Sequence, residues 1–404
     1  MRGLGVVGLV TSALALVACG SDESAGTGSG TEGSGDAAES SGTTAPNADS
    51  GTSTGVSAGG TTSSSTTEPA GDSSSTEPDA DTASDGSSTS GSEEDVGPFE
   101  ACYQDVFVNG FPGINYDGLN IPIGSHCLGT NVQDISDVER VVFLGDSVTV
   151  GTPPTQVGDY FRNELADSLA DRFALSFGSN KGLWQTPNVF DGTSVVQDSG
   201  DFSSCAKWGA RTDDLIAGNQ LSDCYPEDTR DLETLTIITM GGNDLAKIAQ
   251  ESGEGAPAEV SWELAESAVA HMRESMEWLK DEGNFPAGHH VVFANVYEFT
   301  DGTGAVESCQ LSGLAGFEPL TSIGDALLVI GWIEDQYARI AQETGSDFVF
   351  MFEEFQGHGF RSDDPEAPGY RGPGNANWFD LTCIHPTPTG HGAIAEMFLA
   401  TVSE

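Results

Sequence analysis

Continuous apolar runs alternate with segments of helical period along most of this chain, and that alternation leaves few folds open. "RVVFLG" (140–145), "LETLTIITMGG" (232–242), "HHVVFANVYEF" (289–299) and "SDFVFMFEEF" (346–355) read as buried strands. Between and after them, 159–173, 261–283, 323–345 and 387–402 carry helical periodicity. In the second of these, Ser261 is the expected cap and Gly283 the expected terminator. Strands without polar alternation, each followed by a helix, require a sheet covered on both faces. The expected fold is therefore α/β, a three-layer αβα sandwich around a central, mostly parallel sheet. In such sheets, sites gather beyond the carboxyl ends of the strands.

The pattern is confined to 99–404. Residues 20–98 are Ser, Thr, Gly, Ala, Asp, Glu and Pro, with almost no large apolar side chain and no Lys or Arg. Such a segment cannot offset its ordering entropy by burial and reads as a flexible acidic tether. The opening "MRGLGVVGLVTSALALVAC" has an early Arg2 and an apolar run too short to span a bilayer, which reads as a signal peptide over 1–18. Its ending, Leu16 to Cys19, resembles a bacterial lipobox. That resemblance implies cleavage before Cys19 and lipid on its sulfur and new amino terminus, so that the chain is exported and held at the cell envelope by a lipid anchor. The expected organisation is thus signal peptide 1–18, lipidated Cys19 and tether 19–98, and a catalytic domain 99–404.

The folded region carries 48 acidic against 13 basic residues. With no basic stripe to neutralise phosphates, nucleic acid is excluded as a partner. With Cys19 assigned to lipid, six cysteines remain, an even number that favours disulfides in an exported protein. Sequence neighbours are expected to pair, Cys102 with Cys127 and Cys205 with Cys224, leaving Cys309 for Cys383.

The strand ends carry the chemistry. In "FLGDSVT", Gly145 permits a sharp turn and Ser147 follows at the carboxyl end of the first strand, ahead of a helix whose terminus presents backbone N–H groups. Gly-Asp-Ser recurs at 71–73, where no strand supports it. "TMGGNDL" places Asn243 just past the second strand, with two glycines that allow close approach to the backbone. "CAKWGARTDDL" offers the Gly209 N–H in a loop clamped by cysteines. A serine needs a base. Of seven histidines, His385 in "WFDLTCIHPTPTGH" lies in a loop pinned by Cys383 and precedes a helix. His391, six residues on, is expected to pack or hydrogen-bond within that helix.

Taken together, these blocks resemble the SGNH, or GDSL, hydrolase family. "FLGDSVT" matches its nucleophile block, "WGAR" its glycine block, "GGND" its asparagine block and "HPTPTGH" its histidine block, in the family's order across 141–402. The six cysteines likewise resemble the three-disulfide pattern of secreted actinobacterial lipases. The resemblance implies Ser147 as nucleophile, His385 as base, and an oxyanion hole from the N–H groups of Ser147 and Gly209 with the Asn243 amide. One position departs from the pattern, for where the family has aspartate three residues before the histidine, this chain has Thr382. Asp380 is expected to orient the ring instead, with a backbone carbonyl near Thr382 as the alternative.

The implied activity is carboxylester hydrolysis through an acyl-enzyme, on lipid or short-chain esters, by a monomer. Two other readings stand beside it: an O-acetylesterase acting on extracellular or cell-wall polysaccharide, and a surface lipoprotein that binds without catalysis. The chemistry requires no cofactor, and the acidic residues lack calcium-loop spacing, so no metal is expected. The inserts 176–204, with Trp184 and Phe190, and 353–378 are candidate pocket walls.

Overall fold

β1 (Arg140–Gly145) is buried along its whole length, and its side chains divide between two cores. Val142 and Leu144 point into one, Val141 and Phe143 into the other. Alternate residues of a strand face opposite sides of the sheet, so a strand buried on both sides has no polar positions to spare. The structure, a computed structural model, describes residues 96–404. The signal segment 1–18, Cys19 and the expected tether up to residue 95 lie outside the described residues.

The described strands are β1, β2 (Pro187–Asn188), β3 (Thr193–Ser194), β4 (Asp198–Ser199), β5 (Phe202–Ser204), β6 (Thr234–Thr239), β7 (His289–Ala294) and β8 (Asp347–Val349). The α-helices are α1 (Pro98–Tyr103), α2 (Ser147–Val150), α3 (Phe161–Phe173), α4 (Lys181–Gln185), α5 (Gln220–Cys224), α6 (Gly242–Gly253), α7 (Ala258–Leu279), α8 (Ile323–Thr344), α9 (Met351–Phe355) and α10 (Pro388–Ser403). Six strands form one sheet in the order β4-β5-β1-β6-β7-β8, parallel throughout except for the β4–β5 edge pair. α7 and α8 pack on one face through Met272, Met276, Val329 and Ile333. α3 and α10 cover the other through Phe161, Leu165, Ile394 and Phe398. The three-layer αβα expectation is met.

The far edge, β8, is covered by the chain that precedes β1. Phe350 N–H donates to Leu128 C=O, and Thr130 N–H to Phe348 C=O. Phe99 and Tyr116 pack against Phe350, Tyr103 packs on Phe99, and Cys102–Cys127 closes this segment on itself. An edge covered in this way cannot template pairing with another chain. The disulfides Cys205–Cys224 and Cys309–Cys383 complete the expected pairing.

Several boundaries differ from the sequence reading, among them the strand read over 289–299, which ends as β7 at Ala294. The run 346–355 divides into β8 and α9, because the Asn295 side-chain oxygen accepts the Phe352 N–H at 2.7 Å and turns the chain out of the ladder. Short apolar runs carry no period that separates these outcomes. α7 begins at Ala258 after Pro257, whose ring presets the first turn, so Ser261 is buried within the helix. It ends at Leu279, before Gly283, with the Lys280 ammonium drawn to the carbonyl of His289.

Glu353 lies fully buried under the end of β7, accepting a hydrogen bond from the Asn295 amide at 2.8 Å. Burial raises its carboxyl from an ordinary 4.5 to about 7. The folded state therefore holds a proton that the unfolded state releases between these values, and this stabilising term is lost as pH rises through them. Glu353→Gln removes the term, so the variant should gain on the parent as pH goes from 5 to 8, read as the difference in urea midpoints. A difference that does not change with pH would contradict the assignment.

Candidate active site

β1 and β6 pair in register from Arg140 with Thr234 to Gly145 with Thr239, so both strands end at one level. At Gly145 φ is +142°, and a Cβ there would lie 2.3 Å from the Thr239 carbonyl oxygen, so only glycine fits. The Gln220 side chain brackets this residue, accepting from its N–H and donating to its C=O, each at 2.9 Å. The Asp146 carboxylate accepts the Val148 N–H at 2.9 Å, and Ser147 opens α2 behind it. Burial raises the Asp146 carboxyl to about 7.

β6 leads through Gly241 and Gly242 to Asn243 in the first turn of α6. Its amide donates to the Ala210 C=O at 2.9 Å. On the other side, Lys207 N–H donates to Gly145 C=O at 3.1 Å. The 207–210 turn is thus tied to both strand ends, and within it Gly209 takes φ +75°, the left-handed region that disfavours other residues. Asp244 accepts from the N–H and hydroxyl of Thr212, which holds the following loop against α6.

The His385 loop is narrow and closed. Asp380 N–H donates to the His385 C=O at 2.9 Å, and Thr387 N–H to the Trp378 C=O at 2.7 Å. Cys383, at φ +73°, is bound to Cys309, and the Tyr297 hydroxyl donates to the Ile384 C=O at 2.8 Å. The imidazole is presented with Nε2 2.9 Å from Ser147 Oγ. Its Nδ1 lies 2.8 Å from Thr382 Oγ1, which in turn lies 2.5 Å from Asp380 Oδ1. The expected orienting contact from Asp380 is therefore relayed by a threonine hydroxyl, and no backbone carbonyl takes that place among the described hydrogen bonds. The proton arrangement that suits a general base runs in one direction: Ser147 donates to Nε2, Nδ1–H donates to Thr382, and Thr382 donates to Asp380 Oδ1.

Burial lowers the His385 imidazole to about 4, so the ring is neutral at physiological pH and able to accept a proton. His391 is buried beside Tyr160 and Phe161 and accepts the Phe161 N–H, the packing role expected of it. Ser147, Asn243 and His385 line one cleft. Its remaining walls are mostly apolar, among them Met240, Val296, Phe299, Val306, Phe317 and Ile330, and no Lys or Arg lines it. The inserts singled out as pocket walls do not line this cleft. Trp184 is fully buried against Phe143 and Phe202, and Phe190 faces outward. The walls come instead from α6 and from the 295–330 region. Among the described residues, no group of three or more His, Cys, Asp or Glu is placed to hold a metal.

The sequence pattern of the family described as GDSL-like Lipase/Acylhydrolase matches residues 141–398. The chain belongs to this family. It is accordingly a carboxylester hydrolase. No curated protein matches it. Among solved structures, this GDSL-like hydrolase is similar to an extracellular lipase from Streptomyces rimosus, at 19% identity over 65% of this chain and 100% of that one, TM-score 0.36. It is also similar to a phospholipase A1 from Streptomyces albidoflavus NA297, at 17% identity over 65% and 99%, TM-score 0.37. An acetyl xylan esterase, AlAXEase, is similar at 13% identity over 65% and 99%, TM-score 0.35. These likenesses carry no information on substrate.

Three residues that hold the site escaped the sequence reading. Gln220 gave no signal. Thr382 stands at the family's aspartate position and reads there only as a departure from the pattern. Tyr297 reads as one more apolar residue of a strand. The neutral state of His385 is directly measurable. A histidine NMR titration, assigned by loss of the signal in His385→Gln, should place its midpoint near 4 and well below the ordinary 6.5. A midpoint at or above 6.5 would contradict the burial argument.

Proposed function

We propose that this protein hydrolyses carboxylic esters with medium or long acyl chains through a Ser147 acyl-enzyme. The observation that carries the reading is the apolar cleft leading from the Ser147–His385 pair, with room for a hydrocarbon chain and no cation to hold an anionic group. His385 Nε2 takes the hydroxyl proton as Ser147 Oγ attacks the ester carbonyl. The backbone N–H groups of Ser147 and Gly209 and the Asn243 amide meet the oxyanion. The tetrahedral intermediate collapses as His385 returns the proton to the leaving alcohol, and the carbon–oxygen bond to that alcohol breaks. Water then gives a proton to His385, attacks the acyl carbon and releases the acid, and the proton returns to Ser147.

The relay behind the ring serves this cycle. Thr382, backed by Asp380, holds the Nδ1–H tautomer in the ground state and accepts from the imidazolium when it forms. Removing the triad aspartate of serine proteases leaves the geometry intact but selects the wrong tautomer, and a similar effect is expected here. We also propose, from the leader and composition, that Cys19 is lipidated and that 19–98 tethers a monomeric catalytic domain to the outside of the membrane.

Turnover of p-nitrophenyl acetate, butyrate, octanoate and palmitate tests the reading. kcat/KM should rise from acetate toward octanoate, and Ser147→Ala should lose a factor on the order of 10⁴ or more. Turnover of acetate alone, accompanied by release of acetate from an acetylated polysaccharide, would overturn the acyl-chain assignment in favour of the polysaccharide O-acetylesterase. Thr382→Val should lower kcat on the order of 10²-fold while Thr382→Ser retains most of it. Equal loss in both variants would assign the hydroxyl a purely structural role.

A further inference from the structure

The insert 176–204 adds no wall to the cleft, yet it is fixed with unusual care. Arg162 of α3 is fully buried, and its guanidinium donates to the side chains of Ser194 and Ser204 and to the carbonyls of Trp184 and Gln185, at 2.6–3.2 Å. It also lies over the Trp184 ring at 4.6 Å. One buried cation thus joins α3, the sheet strand β5, helix α4 and the β2–β3 hairpin. A guanidinium in that position holds its partners rigidly, because losing any of them leaves buried donors unpaired.

The hairpin turn is fixed as well. Asn188 accepts the Phe190 N–H at 3.1 Å and donates to Asp191 at 2.5 Å, and Gly192 N–H returns to the Asn188 C=O at 2.8 Å. The turn is bonded to the active-site rim, where Trp208 N–H donates to Gly192 C=O at 2.7 Å and the Trp208 indole donates to Gly151 C=O at 3.1 Å. Trp208 immediately precedes Gly209, and Gly151 closes the short helix that Ser147 opens. At the tip of this mount Phe190 is 94% exposed, with Val189 at 59%, Val195 at 43% and Leu183 of α4 at 50%. A rigid turn that holds a phenyl ring and neighbouring aliphatic side chains in water, tied to the turns that flank Ser147 and Gly209, has the character of an interaction surface.

We propose that the 187–194 hairpin is an interfacial docking element that seats the active-site mouth on a zwitterionic phosphocholine-headgroup surface. This inference rests on the ester-hydrolase reading of the adjoining site. Three observations select the occupant. Leu183, Val189 and Val195 are aliphatic, which suits acyl chains and not the flat stacking of a sugar ring. The chain's net charge of −49 repels anionic lipid and opposes face-to-face pairing of two copies. Asp191, exposed in the turn itself, and the Phe190 ring both suit the outermost trimethylammonium of phosphocholine, the first by charge and the second by its π face.

The test compares the full chain with Phe190→Ser and Phe190→Trp. One substrate is soluble p-nitrophenyl butyrate, and the other a long-chain ester carried in phosphatidylcholine vesicles. Phe190→Ser should keep its rate on soluble butyrate within twofold and lose at least tenfold on the vesicle-borne ester. Phe190→Trp should retain the vesicle rate, and its added indole fluorescence should be quenched by brominated phosphatidylcholine. An unchanged vesicle rate in Phe190→Ser, an equal fall on both substrates, or a fall accompanied by a change in sedimenting mass would overturn the proposal, the last in favour of a second copy on the hairpin. If neither substrate is turned over, the ester-hydrolase reading fails. Quenching of the added indole then decides the docking surface by itself, and absence of quenching overturns it.

Discussion

The in-register parallel pairing of β1 with β6 is the constraint on which the rest of the molecule depends. Six residue pairs place Gly145 opposite Thr239, close enough that a single added methyl at Gly145 would strike the Thr239 carbonyl. Because both strands stop at that level, Ser147 and Asn243 emerge side by side, and the 207–210 turn bonds to each. A slip of one residue would exchange the two faces of β1, sending Val141 and Phe143 into the wrong core. The two-sided burial that makes the strands readable is therefore the same force that aligns the site.

Charge plays an unusual part in this arrangement. The chain is strongly acidic overall, and burial shifts several of its interior carboxyl and imidazole groups toward their neutral forms. Asp146 and Glu353 are pushed up to about 7 and His385 down to about 4, in each case chiefly by burial. For His385 this is productive, since a base must be unprotonated to act. The Thr382 hydroxyl extends the same logic, because it meets Nδ1 without bringing a full charge against the ring, and the carboxylate of Asp380 stands one hydrogen bond further back.

Much of this was legible in the sequence. Four of the six sheet strands, the αβα layering and the positions of Ser147, Asn243 and His385 at loop or strand ends follow from period and punctuation, and the expected pairing of neighbouring cysteines is the one found, whereas β4 and β5 lie in the 176–204 run that reads as a loop. What escaped has a common physical origin. Trp184 and Phe190 look alike in sequence, both aromatic residues in a glycine-rich insert, but one is sealed under a buried arginine and the other is held in solvent. No local pattern distinguishes them, because the difference is made by Arg162, more than twenty residues away. The path from His385 to Asp380 was hidden in the same way. Spacing identified an acid near the loop, whereas the tight 379–386 closure decides that a threonine stands between acid and ring. Helix limits at Pro257 and Asn295 were likewise set by a preceding ring and a distant side chain.

The claim at the centre of this account is that the fold activates one serine. Reaction of the folded, disulfide-intact protein with a fluorophosphonate, followed by mass spectrometry of the labelled peptides, tests it most directly. The account predicts one adduct per chain, on Ser147, absent from Ser147→Ala and strongly slowed in His385→Ala. No adduct on the folded protein, or an adduct that survives in Ser147→Ala, would contradict it and leave the cleft as a binding pocket.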